Sequence, residues 1–456
     1  MPQFNNVTRI SALALGIAGA LAFGQAHASG FQLKENSVKA MGRAFAGAAS
    51  ATGDASVVAN NPAVMSTFKQ STFQADVTVV DLSADFTGTG RSAAGTVLTG
   101  GNGGDAGDTT AIPAMSAIFP MGDSGVTVGA MVSAPFGLKT EYEAGWVGRY
   151  TALESEVKTV DLTLAASFDF GSEVSFGLGL VYERAEATLS KAIDFGSRIC
   201  SINVLLCAGP TAQFGPQRND GTIEVKGDDT GIGWIAGMHV HPNDKMGFGF
   251  TYRSEINHDL AGTADFTVPA NVATVLAIGA PGQFVDTAGG ASLTTPAVTT
   301  ISVTYGITDS VTLMGEVAQT DWSSLQQVAI NFGNPRQQPN PAVEEFKWDD
   351  TVFTAVGAEW ELSDAFTLRA GYAEDQSPTN NETRTPRLPD ADRTWWSLGL
   401  TWAPSSNWEV NAGYTRINTD DPSINLTPSL ATSGSTLVGQ YDATVNLYGV
   451  SAQYRF

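Results

Sequence analysis

The chain has 456 residues, enough for one large domain or two to three ordinary ones, and only 15% of them are charged. Its 46 Asp and Glu against 24 Lys and Arg give a net charge of −22 with no basic cluster, which argues against nucleic acid or an anionic surface as partner. Its 49 glycines and few charges suit a β-rich structure whose outside does not face water.

The N-terminus comes first. Arg9 lies in a short basic region, ISALALGIAGALAF (10–23) is an apolar run, and Ala26-His27-Ala28 fits a small-x-small cleavage rule. Residues 1–28 are therefore expected to be a signal peptide, with the mature chain starting at Ser29 and exported. The run is too short for a transmembrane helix, and no later stretch approaches about 18 uninterrupted apolar residues. A helical membrane protein is excluded.

Residues 29–70 do not alternate in polarity. SVKAMGRAFAGAAS (37–50) is rich in Ala and Gly at helical spacing, and NNPAVMSTF (60–68) offers Asn61 as N-cap with Pro62 at the first helical position. Such a compact segment of small residues is expected to plug the interior of the larger C-terminal domain; a periplasmic tail is the bland reading.

From residue 71 onward one pattern recurs. VSFGLGLVYE (174–183) sets Val174, Phe176, Leu178, Leu180 and Tyr182 against Ser175, Gly177, Gly179, Val181 and Glu183. TVDLTLAASFDF (159–170) and MGFGFTYR (246–253) alternate likewise, so each is a strand with one greasy and one polar or small face. A soluble sandwich hides the greasy face; an outer-membrane barrel turns it to lipid. The segments reach about ten residues, the length that crosses a bilayer at a tilt. Aromatics gather near their ends (Tyr182, Tyr252, Trp402, Trp408, Tyr414). Short turns PMGDS, DFGSE, HPNDK, ITDS, LSDA and PSSN alternate with long connections. Those six turns pair strands beginning near 113, 125, 157, 174, 230, 246, 297, 311, 350, 366, 393 and 408. With 72–86 and 442–456 this predicts an all-β transmembrane barrel of fourteen antiparallel strands over 71–456. The last strand ends on Phe456, an ending typical of barrels and similar to the signal that barrel-assembly machinery reads.

Two long connections are apolar. One holds CSINVLLC, with Cys200 and Cys207 either bridged or free; the other is PANVATVLAIGAP (269–281). Leu205 in the first and Val272, Val275 and Leu276 in the second are candidates for a dry extracellular groove, or for contacts that merely cap the mouth. Enzymatic chemistry finds no footing. No Gly-x-Ser-x-Gly elbow or phosphate loop occurs, GGNGGD (100–105) is a single copy of a motif that works in stacks, and His239 and His241 lack an evident third ligand. No cofactor or metal is expected.

GFQLKENSVKAMGRAFAGAASATGDASVVANNPAVM (30–65), with Asn61-Pro62-Ala63, and APFGLKTEYEAGWVGRYTALESEVKTVDL (134–162) resemble the FadL family of outer-membrane transporters for hydrophobic compounds. The resemblance implies a fourteen-stranded barrel with an N-terminal hatch. It implies passive capture of long-chain fatty acids, or of monoaromatic hydrocarbons or alkanes, between two extracellular loops, followed by transfer to a pocket touched by Phe31. Lateral release would occur at a kink in the third strand around Pro135 and Gly137, near Phe136 and Leu138. Trp146 and Tyr150 then stand as candidates for the groove floor, and Lys139 and Arg149 as carboxylate partners. The implied partners are a hydrophobic ligand, outer-membrane lipid and lipopolysaccharide, and the assembly machinery, with the barrel acting as a monomer. A lipid-binding surface receptor or adhesin is the rival reading, since it would use the same loops without a hatch; a porin for polar solutes would need an open, charge-lined constriction.

Overall fold

The computed structural model describes residues 30–93, 95–171, 173–207, 213–429 and 434–456, so the expected signal peptide lies outside the described residues. One antiparallel sheet contains twenty strands. In chain order they begin with β1 (Thr72–Arg91), β2 (Thr109–Pro120), β3 (Val126–Ser133), β4 (Gly137–Glu141), β5 (Glu154–Asp169), β6 (Val174–Asp194) and β7 (Asp220–Asn243). Next are β8 (Met246–Arg253), β9 (Ile256–Thr267), β10 (Thr287–Thr295), β11 (Val298–Gly306), β12 (Val311–Thr320), β13 (Gln327–Phe332) and β14 (Ala342–Glu345). The series closes with β15 (Thr351–Ser363), β16 (Phe366–Asp375), β17 (Arg393–Trp402), β18 (Trp408–Thr419), β19 (Ser423–Leu426) and β20 (Thr436–Arg455). Six consecutive pairs, from β3/β4 to β18/β19, are interrupted halves of single crossings, so the wall has 14 strands' worth of crossings and is closed. Closure is made by β1 and β20, paired from Thr72↔Arg455 to Arg91↔Thr436, which removes both sheet edges.

The greasy face points outward. On β6, Leu178, Leu180 and Tyr182 are half or more exposed while Val181 and Glu183 are buried toward the lumen. No helix among the described residues is long and apolar enough to cross a membrane; the family of folds to which this wall conforms crosses with strands, whose closed ladder pairs the backbone groups away from the lipid. Strands β7, β10 and β20 begin about six to ten residues before the positions the alternation marks. Beyond the lipid-facing band their outer faces turn polar, as with Glu224, Lys226 and Asp228 on β7, and period-two hydrophobicity no longer signals them.

Residues 30–70 fill the lumen. Helix is confined to α1 (Val38–Met41), capped by Ser37 Oγ accepting from Ala40 N at 3.0 Å, and α2 (Val57–Asn60). The expected helix over 37–50 stops early because Ala44 and Phe45 take positive φ, 51° and 61°, and the chain coils to fit the barrel. Pro62–Thr67 is a 3-10 helix, with Asn61 as its cap. Asn61 is fully buried; its Nδ2 donates to Ala49 O (2.7 Å) and Met238 O (3.0 Å), and its Oδ1 accepts from Ala63 N (3.1 Å). The glycines of the alternating strands are seats for this backbone. A Cβ at Gly177 would lie 2.2 Å from Ala63 N, and one at Gly237 would lie 1.9 Å from Asn61 Oδ1. Arg43 joins Glu359 at 2.6 Å, and Arg369 joins the same carboxylate at 2.8 Å, fixing the hatch to the opposite wall.

Candidate functional site

The third crossing breaks between Ser133 and Gly137. Pro135 cannot donate to a ladder, and the start of the hatch takes over the lost pairing. Leu33 N donates to Pro135 O at 2.7 Å and Gly137 N to Phe31 O at 2.7 Å, while Phe136 N turns to Thr159 Oγ1 at 3.0 Å. The break leaves an unladdered seam. β2 pairs with β3 only over Met115–Pro120, its upper half Thr109–Ala114 pairs with β1 alone, and β4 pairs only with β5.

Behind the seam lies an aromatic cluster. The Phe31 ring is 4.7 Å from Trp322 and 5.9 Å from Phe136 and from Trp348, centre to centre. Phe31, Leu138, Val157, Leu260, Leu293 and Trp348 line an inner cavity of about 90 Å³. Above it a mouth cavity of about 760 Å³ is bordered by Tyr150, Ile193, Phe266, Phe284, Lys191 and Arg387. Leu189, Val225, Ile330, Glu344 and Arg387 border both, so the two spaces adjoin along these side chains.

The extracellular loops roof the mouth. The first carries α3 (Phe195–Ile202) and the second α4 (Ala270–Gly279), which is the greasy stretch between Pro269 and Pro281. Cys200 and Cys207 form a disulfide. The two helices pack face to face: Val272 and Leu276 are buried among Phe195, Ile199 and Phe214, and Val275 is half-buried on the same cluster. Those side chains hold the loops to one another. Leu205, by contrast, is 78% exposed and Ile278 85%.

Other sequence candidates lie elsewhere. Trp146 is fully buried, stacks on Tyr142 at 4.0 Å and donates from Nε1 to Ala152 O, so it borders neither cavity. Tyr150 does border the mouth; burial, then the Asp194 and Asp220 carboxylates, push its hydroxyl well above the usual range. Arg149 is paired with Asp220 at 2.9 Å. Lys139 is paired with Asp108 at 2.8 Å, and its hydrogen bond holds that carboxyl below the usual range. Neither of these cations borders a cavity, whereas Lys191 and Arg387 do. Those two, with Trp322, Trp348, Leu260 and Leu293, were missed because they come from separate strands and loops: Lys191, Leu260 and Leu293 carry only the inward parity of their strands, and Arg387, Trp322 and Trp348 lie outside strands and carry no periodic signal.

The family described as outer membrane protein transport protein (OMPP1/FadL/TodX) matches residues 19–456. The chain belongs to it. Membership makes the protein an outer-membrane transporter for hydrophobic compounds of a Gram-negative bacterium. Among FadL-family relatives, it is 28% identical to outer membrane protein P1 of Haemophilus influenzae, covering 97% of this chain and 98% of that one. It is 29% identical to the long-chain fatty acid transport protein of Escherichia coli K12, covering 91% and 93%. A FadL homologue of Pseudomonas aeruginosa superposes with a TM-score of 0.85 at 25% identity, over 94% of this chain and all of that one. The toluene transporter TodX of Pseudomonas putida shares the fold, with a TM-score of 0.68 at 14% identity over 94% of this chain and 100% of that one.

Proposed function

We propose that this FadL-family barrel carries long-chain fatty acids passively and releases them sideways at the break in the third crossing. The observation that carries the reading is the succession of adjoining spaces: mouth cavity, a largely apolar inner cavity, then Leu138, Phe31 and Phe136 at the seam. Burial of an acyl chain contributes about 0.8 kcal/mol per CH₂, on the order of 10 kcal/mol gross for a long chain, before loss of ligand freedom. No energy input is needed if each station is drier than the last. Lys191 in the mouth cavity and Arg387 at the border of the two cavities, the latter paired with Glu344 at 3.1 Å, are the cations suited to a carboxylate head while the tail points to Phe31. Val275 and the exposed Leu205 serve the first capture, and Val272 and Leu276 support it by holding the two loops together.

Uptake of monoaromatic hydrocarbons by the same route is the second reading, favoured by the small inner cavity and its rings from Phe31, Phe346 and Trp348. The test is uptake by cells that lack their own fatty-acid transporter and express this chain, given labelled oleate, toluene and a small sugar. Oleate uptake that falls at least tenfold in Leu138→Trp supports the proposal. Toluene alone would change the substrate, binding without uptake would make the protein a receptor, and sugar uptake would overturn the dry route.

A further inference from the structure

Side chains from three interrupted crossings meet inside the lumen. The third crossing breaks around Phe136, the seventh (β8 and β9) between Arg253 and Ile256, and the eighth (β10 and β11) between Thr295 and Val298, where Pro296 lacks an N–H. The seventh break removes part of a ladder. β7 pairs with β9 as far as Asp228 and with β8 from Ile235 onward, so residues 229–234 are laddered only to β6. Ser254 patches one end, its N donating to Trp234 O at 2.9 Å and its Oγ accepting from Trp234 N at 3.0 Å.

What the break provides is reach. Asp161 of β5, Glu183 of β6 and Gly231 of β7 stand in direct register on the inward face. A Cβ at Gly231 would lie 2.4 Å from Ile256 Cγ2 and 3.0 Å from His258 Cε1, so the bare position admits side chains of the seventh crossing. Arg253 Nη1 donates to Asp161 Oδ2 at 2.6 Å and Nη2 to Glu183 Oε2 at 2.9 Å. His258 Nε2 lies 2.9 Å from Glu183 Oε1, and Thr295 Oγ1 donates to the same oxygen at 2.7 Å. Asp161, Glu183, His258 and Thr295 are all buried, a setting in which carboxylates persist as ions only when paired and hydrogen-bonded.

This network backs the break in the third crossing. The Arg253 guanidinium carbon is 6.0 Å from the centre of the Phe136 ring, at the outer reach of a cation–π contact. The Phe136 backbone is held by the strand that also holds Arg253. Thr159, two positions along β5 from Asp161, donates its N to Phe136 O at 3.0 Å and accepts Phe136 N on Oγ1 at 3.0 Å. Asp161, Glu183, Arg253 and His258 border neither cavity, so the network touches the seam without lining the route.

We infer that Arg253 is a positioning residue for sideways release. Its fork, braced on Asp161 and Glu183, backs the Phe136 ring and holds the third crossing in its interrupted shape. The breaks in the seventh and eighth crossings let Arg253, His258 and Thr295 converge on the one Glu183 carboxylate. The inference rests on the release route proposed above.

The experiment compares Arg253→Lys, which keeps the charge but loses the fork, with D161N/E183Q/R253M, which removes the three charges together and leaves no ion buried and unpaired. Labelled-oleate uptake is followed against oleate concentration in the transporter-deficient cells, with oleate binding and hydrogen exchange measured on the solubilised barrel. In the triple variant the maximal uptake rate should fall about fivefold or more, with binding within about twofold of native. Exchange at Phe136, Gly137 and Leu138 should quicken about tenfold while residues 162–168 of β5 stay protected. Arg253→Lys should fall between native and triple variant, and it carries the same readouts if the triple variant loses the heat-modifiable migration of a folded barrel. Native uptake and native exchange at the seam in a folded variant would overturn the inference and reduce the cluster to a structural clamp. If Leu138→Trp blocks uptake while the triple variant transports normally, this inference alone falls; if the native chain takes up no oleate, the release route falls with it.

Discussion

Glu35 is buried where the hatch passes along the lumen, and burial pushes its carboxyl up to about 7, against backbone N–H groups of Glu35 and Lys34 and the charge of Arg393. Its folded pKa lies above the ordinary value of 4.5, so the native state keeps the proton longer than the unfolded chain does. The hatch is therefore least burdened below pH 4.5, and stability falls as pH rises through about 7. The full penalty is on the order of 3 kcal/mol. Glu35→Gln should accordingly gain thermal stability over the native protein at pH 8 and little at pH 4.5, read as the difference in Tm at the two values; a constant difference would contradict it. Asn61 carries the opposite burden. Asn61→Ala strands two buried carbonyls and the Ala63 N–H, at a cost of about 2 kcal/mol or more, and Gly237→Ala drives a methyl into the same amide. Both should speed hydrogen exchange across residues 38–68 while leaving the wall strands protected.

At the scale of elements, the greasy stretch at 269–281 proves to be a ten-residue helix whose partner is the other loop's helix. Deletion of 271–278 removes Val272, Val275 and Leu276 and leaves Phe195, Ile199 and Phe214 uncovered. Oleate uptake at low concentration should fall by an order of magnitude in that variant, with less effect at saturating ligand; unchanged uptake would make the helix a mere cap. Much of the wall could be read from the sequence for a physical reason. Alternation is imposed residue by residue by the contrast between lipid and lumen, so Leu178, Leu180 and Tyr182 mark β6 locally. The break at Pro135 was placed by the family resemblance, and the missing N–H is the local fact that agrees with it. What escaped was whatever depends on distance in the chain. Lys191 and Arg387 meet only through closure of the barrel, and nothing near Trp146 in the sequence distinguishes a cavity wall from packing against Tyr142, Phe86 and Tyr441. The hatch was legible as small and compact, but its helical spacing overstated helix because the lumen forces turns at Ala44 and Phe45.

For the whole molecule, the 20-residue ladder between β1 and β20 makes the C-terminal strand the closing stave. Phe456 N is itself tied to Ser71 O at 2.9 Å, while its ring stays exposed. Deleting Phe456 should lower the amount of folded barrel recovered from membranes while leaving the stability of what is recovered nearly unchanged, as expected for a residue read during assembly. The hatch adds a problem of order to that closure. It precedes every strand of the wall in the chain, yet its seats lie on β6, β7 and β8 in the middle of the chain and again on β16, β18 and β20 toward its end. Those seats exist only after the ring has formed, and the ring, once formed, surrounds residues 30–70. The protein is in this respect a ship that must be inside the bottle before the glass is sealed. Residues 30–70 either wait unpaired beside a half-built cylinder or are enclosed as the last stave swings home, and a chain whose hatch is too bulky would fail at construction, long before any ligand arrived to test it.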